Sequence, residues 1–202
     1  MPMKTGFILE CGPEGADVKV CRSLVSRIKP DIAFVPITLD NKPKLISGCG
    51  DAAKQLLASG CERVFIIWDL FPAWRDNKAK PCRKEDRENI FQALKDADVP
   101  VERVTLICID EELEAWLIAD GRAISEFLST ATKRISIADE KKPDRAKNPK
   151  KLLNRHFAQN GKGNYIDYLH AEKLVRLIPD FQKLRRSETF RRLYQKLGGK
   201  EL

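Results

Sequence analysis

The segment that decides the fold is Arg63-Val-Phe-Ile-Ile-Trp-Asp69, a nearly continuous apolar run that ends in a carboxylate. An apolar run without polar alternation is expected of a central strand that is covered on both faces. A carboxylate that ends a buried strand is costly unless it is paired or binds a metal ion. Asp69 is therefore a candidate functional residue.

Strand and helix patterns alternate on both sides of this segment. Strands are predicted at residues 4–11, 31–39 and 103–110, and helices at residues 15–29, 49–59, 84–97 and 111–119. Pro36 suggests an edge position for the second strand. Alternating strands and helices predict an α/β fold with a mostly parallel sheet and helices on both faces.

The chain changes character after residue 120. No strand pattern is convincing there, and short helices are predicted at residues 124–128, 150–158, 166–177 and 188–197. Residues 133–202 hold 19 Lys and Arg against 8 Asp and Glu, whereas residues 1–132 are slightly acidic. We therefore expect an α/β core at residues 1–120 and a basic helical C-terminal lobe at residues 121–202. Such a basic surface either meets nucleic-acid phosphates or is a solvated helical face.

Acidic residues follow three of the predicted strands. They are Glu10 and Glu14, then Asp69, then Asp110, Glu111, Glu112 and Glu114. The carboxyl ends of parallel strands meet in one crevice, and hard cations such as Mg²⁺ take carboxylate oxygens as ligands. The alternative is that some of these acids only stabilise helix N-termini, which is the preferred interpretation for Asp17 and for at least one residue of 110–112.

Several other classes of protein find no support in the sequence. No apolar run approaches the roughly 18 residues of a membrane span, and no signal peptide is evident, so we expect a cytoplasmic protein. The six cysteines form no CxxC pair, which argues against a zinc site or a disulfide framework. His156 and His170 have no accompanying nucleophile motif, and no P-loop is present.

The segment Glu112-Leu-Glu-Ala-Trp-Leu-Ile-Ala-Asp120 resembles the E-x-E-A-W-L-x-A-D signature of an uncharacterised Toprim-like family of prokaryotes and their phages. The segment Glu10-Cys-Gly-Pro-Glu14 is similar to that family's N-terminal element, and Asn148-Pro-Lys-Lys is similar to its D-P-K helix entry. Tyr165, Lys173, Phe190 and Leu193 follow the order of its C-terminal pattern. The resemblance covers nearly the whole chain, but only the first segment is highly specific.

The resemblance implies a Toprim-like, Rossmann-related fold, the module of topoisomerases, primases and nucleases of the overcoming-lysogenization-defect type. It implies that Glu10, or alternatively Glu14, acts as acid or base, and that Asp69 binds Mg²⁺ or Mn²⁺. The family's Asp-x-Asp is replaced here by Asp69-Leu70-Phe71. Glu114 is our choice for the missing carboxylate, with Glu112 in reserve.

These observations predict a metal-dependent protein that hydrolyses phosphodiester bonds in DNA or RNA. Its phosphate-gripping residues are expected to be Lys147, Lys150, Lys151 and Arg155. The alternative is a catalytically degenerate module that binds nucleic acid or a partner protein, such as an ATPase encoded beside it. A small-molecule phosphohydrolase is a third possibility. Trp74, in the loop after the central strand, is expected to anchor that loop rather than to stack on a base.

Overall fold

A four-stranded parallel sheet forms the centre of the molecule, with the strand order β2-β1-β3-β4. The computed structural model describes residues 2–73 and 80–199, so Trp74 lies outside the described residues. The strands are β1 (Met3–Leu9), β2 (Ile32–Thr38), β3 (Arg63–Asp69) and β4 (Val104–Ile109). The predicted α/β class, the interior position of β3 and the edge position of β2 are confirmed.

Eight α-helices surround the sheet in the described ranges. They are α1 (Ala16–Ile28), α2 (Lys42–Ala58), α3 (Arg83–Asp96), α4 (Glu114–Ile118), α5 (Gly121–Leu128), α6 (Pro149–Gln159), α7 (Asp167–Leu177) and α8 (Glu188–Lys196). The predicted start of α2 was seven residues too late, because Asn41 caps the helix by accepting a hydrogen bond from the Lys44 N–H at 3.0 Å. The start of α4 was predicted three residues too early, because Glu111 has a left-handed backbone with φ of 64°.

The two faces of the sheet are covered differently. Helices α2 and α3 pack on one face, where Ile8, Ile66 and Leu106 belong to a smaller apolar core. Helix α1 and the helices from α4 onward share the larger core on the other face. Arg27 of α1 donates to the Val175 and Ile178 carbonyls of the C-terminal region, at 3.0 and 2.5 Å. The basic helical region therefore packs directly against the first half of the chain.

No helix in the described ranges is long and apolar enough to cross a membrane.

Candidate functional site

Four carboxylates from three parts of the chain influence one another at the carboxyl end of the sheet. Glu10 follows β1, Asp69 is the last residue of β3, Asp17 lies in the first turn of α1 and Glu114 is the first residue of α4. We call these four residues the carboxylate cluster. A Glu10 carboxylate oxygen accepts a hydrogen bond from the Asp69 main-chain N–H at 3.2 Å. Adjacent parallel strands thus bring Glu10 and Asp69 together, as the sequence predicts.

The protonation of Glu10 and Asp69 is strongly perturbed. Burial, followed by the charge of Asp17, raises the pKa of Glu10 from 4.5 to about 8. Burial and then the charges of Glu10, Asp17 and Glu114 raise the pKa of Asp69 well above its ordinary value. Carboxylates that share a site cannot all ionise without a compensating cation. Glu10 and Asp69 therefore tend to hold protons at neutral pH when no cation is bound.

The other two members of the cluster are perturbed in the same direction. Burial raises the pKa of Asp17 from 3.8 to about 6, although a hydrogen bond with the Cys11 thiol lowers it. Burial raises the pKa of Glu114 from 4.5 to about 7, and the nearby charge of Lys150 opposes that shift. Glu114 is 4% exposed. The cluster is thus a shielded group of like charges, which is typical of functional sites.

An ammonium group from α6 stands beside Glu114 of the cluster. Lys150 of α6 donates to an Asp167 carboxylate oxygen at 2.5 Å. Burial disfavours the charged form of Lys150, but the bond with Asp167 and the charges of Glu114 and Glu112 hold its pKa above the ordinary value. Lys150 was predicted to grip phosphates, and the structure places it where it balances carboxylates.

The Tyr165 hydroxyl also lies close to Glu114 of the cluster. It is buried and has no hydrogen-bond partner that meets normal geometry in the described structure. Burial and then the charge of Glu114 raise the pKa of this hydroxyl. A buried polar group without a partner is unusual in proteins and calls for an explanation. Here the Glu114 carboxylate is the neighbour that interacts with the hydroxyl, so Tyr165 is a further residue at the edge of the cluster.

Two adjoining cavities open beside the cluster and carry basic residues. The first, of about 480 Å³, is lined by Glu112, Asn148, Lys150, Lys151, Asn154, Asn164 and Tyr165. The second, of about 540 Å³, shares Asn148, Lys151 and Asn154 with the first and adds Lys147 and Arg155. Lys147, Lys151 and Arg155 are exposed. All four predicted phosphate-binding residues therefore line one continuous surface next to Glu112.

Of the remaining acidic residues considered from the sequence, some lie at the candidate site and others lie outside it. Glu112 is half-buried in the first cavity, where burial raises its pKa. Glu14 is outside the carboxylate cluster, because its side chain is 90% exposed and pairs with Lys19 at 3.5 Å. Asp110 forms an ion pair with Arg83 instead of facing the cluster. Sequence reasoning preferred a helix-start role for Asp17 and kept it only as a secondary candidate, whereas the structure places its charge beside Glu10 and Asp69.

Two residues of the Glu112–Asp120 segment, Trp116 and Asp120, have structural roles. The Trp116 indole N–H donates to the Thr189 hydroxyl of α8 at 2.9 Å. Asp120 accepts from the N–H groups of Arg122 and Ala123 at the start of α5, and from the Lys183 ammonium at 3.0 Å. Both residues attach α4 to the C-terminal helices. Within this segment, the side chains of Glu112 and Glu114 lie at the candidate site, and the Leu113 main chain forms a hydrogen bond with Asp69 that lowers its pKa.

A buried ion pair supports the opposite side of the cluster. The Lys42 ammonium contacts Asp86 at 2.9 Å and donates to the Leu70 and Pro72 carbonyls at 2.7 and 2.9 Å. Asp86 also accepts from the Trp68 indole N–H at 3.1 Å. Lys42 lowers the pKa of Glu10 through its charge. Because its three acceptors satisfy its three donors, Lys42 fixes the chain that leaves β3.

The donor set suits a hard divalent cation. Across residues 2–73 and 80–199, no group of three or more His, Cys, Asp and Glu side chains is already arranged around a common point as metal ligands. Mg²⁺ is usually held by only one or two protein carboxylates, and water and substrate phosphates complete its shell. Two carboxylates of the cluster would be enough for such a site, and a bound cation would offset the burial and repulsion that raise their pKa values.

Comparisons with known proteins give one match. The model of a family described as a domain of unknown function (DUF4276) matches residues 20–198. No curated protein and no solved structure matches the chain.

Proposed function

The chain belongs to DUF4276, a family of domains of unknown function, and from the geometry of the carboxylate cluster we propose that it hydrolyses phosphodiester bonds in nucleic acid with the help of Mg²⁺ or Mn²⁺. The observation that carries this proposal is the convergence of Glu10, Asp17, Asp69 and Glu114, whose pKa values are all raised, chiefly by burial and, for Asp69, also by the charges of the other three. Structural carboxylates are usually paired with cations or capped. The two ammonium groups that act on this cluster, Lys42 and Lys150, already pair with Asp86 and Asp167, so ion pairing does not account for the cluster.

Asp69 and Glu114 are the residues proposed to hold the metal ion. Glu114 is buried and Asp69 is half-buried at the end of β3. Desolvation raises the pKa of Asp69 most, and the charge of Glu114 adds to that shift. A bound divalent ion would supply Lewis acidity at the phosphoryl oxygens and would activate water. Glu112, in the adjoining cavity, is the reserve ligand.

Glu10 is proposed to handle the proton. A general acid or base works best when its pKa lies near the working pH, and burial brings the pKa of Glu10 to about 8. Its hydrogen bond with the Asp69 N–H orients the carboxylate toward the end of β3. Asp17, whose charge raises the pKa of Glu10, is a positioning and electrostatic residue.

Lys147, Lys151 and Arg155 are proposed to bind the substrate backbone. They are exposed along the two cavities that lead to Glu112 and Lys150. Lys and Arg in such a position attract phosphates without regard to base sequence. The resemblance to Toprim enzymes supports the same chemistry, although Leu70 and Phe71 stand where those enzymes continue their Asp-x-Asp.

A degenerate binding module remains the second candidate. The lack of a preformed set of three metal ligands among the described residues favours it, as does the loss of the second Asp after Asp69. In that case the basic cavities would bind nucleic acid or a partner protein without cleavage.

A cleavage assay separates these candidates. The purified chain is incubated with labelled single- and double-stranded DNA and RNA, with Mn²⁺, Mg²⁺ or EDTA. We expect cleavage that needs metal and falls at least 100-fold in Asp69→Asn and Glu114→Gln. Glu126→Gln changes an exposed carboxylate on α5 and is the matched control, expected to keep full activity. Glu14→Gln distinguishes Glu14 from Glu10 as the proton-handling residue.

Two results would overturn the proposal. Cleavage that survives unchanged in Asp69→Asn would place the reaction elsewhere or in a contaminant. Absence of cleavage on all four substrates, combined with binding of the same substrates, would establish the binding module instead.

A further inference from the structure

A basic groove lies along the free edge of the sheet, away from the carboxylate cluster. Strand β4 has only β3 as a neighbour in the described sheet, and helices α3 and α8 flank its other edge. The groove has a volume of about 530 Å³. Leu106, Ile107 and Cys108 all line it. Because successive side chains of a strand point to opposite faces, three consecutive lining residues mean that the strand edge itself forms the floor.

The orientation of the β4 backbone follows from one hydrogen bond. The Ile109 carbonyl accepts from the Leu70 N–H at 2.8 Å, so Ile109 faces β3. In a parallel strand, the N–H and C=O of a residue point to the same side, and the side alternates from residue to residue. The main-chain groups of Leu106 and Cys108 therefore face the groove. They offer alternating donors and acceptors, as an unpaired sheet edge does.

The walls of the groove are rich in arginine. Arg83 and Arg87 come from α3, and Arg191 and Arg192 come from α8. Arg83 pairs with Asp110, and Arg191 pairs with Glu188 at 3.0 Å. Arg87 lies over the Phe91 ring, and neither Arg87 nor Arg192 has a carboxylate partner in the described parts of the chain. The groove thus has a positive charge on both sides of the sheet edge.

We propose that this groove binds an extended acidic peptide segment of a partner protein, which adds to β4 as a fifth strand. Main-chain pairing would supply affinity, and acidic side chains would meet the arginines. Because α3 and α8 pack on opposite faces of the sheet, neighbouring peptide residues would reach opposite walls. Nucleic acid fits less well, because phosphate oxygens accept hydrogen bonds but cannot donate to the outward carbonyls of Leu106 and Cys108.

The probe is a fluorescein-labelled octapeptide, Thr-Val-Glu-Glu-Glu-Glu-Val-Thr, titrated into the full chain and followed by fluorescence anisotropy. Two further versions of the peptide carry main-chain N-methyl groups on every second residue, one on the odd-numbered residues and the other on the even-numbered residues. Only one set of peptide N–H groups faces β4 in a paired strand. We expect the parent peptide to bind and just one of the two methylated peptides to bind at least 10-fold more weakly. Replacement of the four Glu by Lys is expected to abolish binding.

The double variant Arg87→Glu/Arg192→Glu tests the walls of the groove. We expect it to weaken parent-peptide binding at least 10-fold with a melting temperature close to that of the wild type. Lys54→Glu/Lys95→Glu makes the same charge change at exposed positions of α2 and α3 outside the groove, and is expected to bind normally.

Three outcomes would contradict the proposal. The first is that the parent peptide fails to bind, and the second is that the two methylated peptides bind equally well. The third is that a 12-nucleotide DNA strand displaces the peptide and that binding of this DNA requires Arg87 and Arg192. The last outcome would identify the groove as a polyanion site. None of these outcomes depends on whether the carboxylate cluster is catalytic.

Discussion

The carboxylate of Glu10 accepts the main-chain N–H of Asp69 at 3.2 Å and so joins the carboxyl ends of β1 and β3. The bond places two acidic side chains at neighbouring strand ends, where burial and then the charge of Glu10 raise the pKa of Asp69. Nothing in the packing of the sheet requires two carboxylates there. Their position is explained if the protein uses them to bind a cation and to move a proton.

The stability of the metal-free protein should fall as the pH rises. The folded pKa of Glu10 is about 8 and that of Glu114 about 7, above their ordinary value of 4.5. The folded state therefore keeps protons that the unfolded state has released, and stability is lost between about pH 4.5 and 8. The lowered pKa values of His156 and His170 make stability rise with pH instead, but only below about pH 6.5.

Urea unfolding in EDTA at pH 7 and pH 8.5 measures this effect. We expect the free energy of unfolding to fall by about 1 kcal/mol, since one pKa unit corresponds to about 1.4 kcal/mol. Glu10→Gln should reduce the fall, and Glu126→Gln should not. A wild-type protein with equal stability at both pH values would refute the assigned pKa directions.

The buried pair of Lys42 and Asp86 should be strongly coupled. Their side chains are 2% and 1% exposed, so Asp86→Ala leaves an ammonium buried without its carboxylate. Loss of one partner of a buried ion pair costs about 3–5 kcal/mol. Lys44→Ala breaks the exposed pair with Asp40 at the start of the same helix and should cost at most about 0.5 kcal/mol. Similar losses for the two variants, measured by urea unfolding, would contradict the buried arrangement.

Thr189→Val should destabilise the contact between α4 and α8. The substitution keeps the shape of the side chain but leaves the buried Trp116 indole N–H without its acceptor. An unsatisfied buried donor costs about 1–3 kcal/mol. Thr132→Val, at an exposed position, is the control. Thermal unfolding that shows no difference between the two variants would argue against the Trp116–Thr189 bond.

Single alanine substitutions of Lys147, Lys151 and Arg155 should weaken DNA binding without changing sequence preference. Each lost phosphate contact should lower the slope of log affinity against log salt by about 0.9 for double-stranded DNA. Anisotropy titrations at several salt concentrations measure that slope. Lys54→Ala changes a lysine of α2, on the other side of the sheet, and should leave the slope unchanged. An unaltered slope in all three basic-surface variants would place nucleic acid elsewhere.

Apolar patterning predicted much of the architecture. The run from Arg63 to Asp69 correctly indicated an interior strand, and Pro36 correctly indicated an edge. Helix starts were predicted less well where backbone geometry decides, as at Glu111, because a left-handed residue leaves no clear trace in hydrophobic spacing. Local sequence patterns therefore describe elements better than they describe their boundaries.

The candidate site shows a different limit. An acid in the first turn of a helix has the same pattern whether it only favours the dipole or also faces other acids, so the dipole was the preferred interpretation for Asp17. Lys150 belongs to a basic run, and only tertiary structure shows that it pairs with Asp167. Glu14 lies four residues after Glu10, yet the turn between them sends it to solvent. Such facts depend on contacts between distant parts of the chain.

Calorimetric titration of Mn²⁺ into the metal-free protein at pH 7, repeated in buffers of different ionisation enthalpy, tests the central claim most directly. The account predicts one Mn²⁺ site whose occupation releases protons, because the proposed ligands Asp69 and Glu114 have raised pKa values and metal ligands must be deprotonated. It also predicts that Asp69→Asn abolishes binding and that Glu126→Gln preserves it. Absence of Mn²⁺ binding, or binding that is unaffected by Asp69→Asn, would contradict the account.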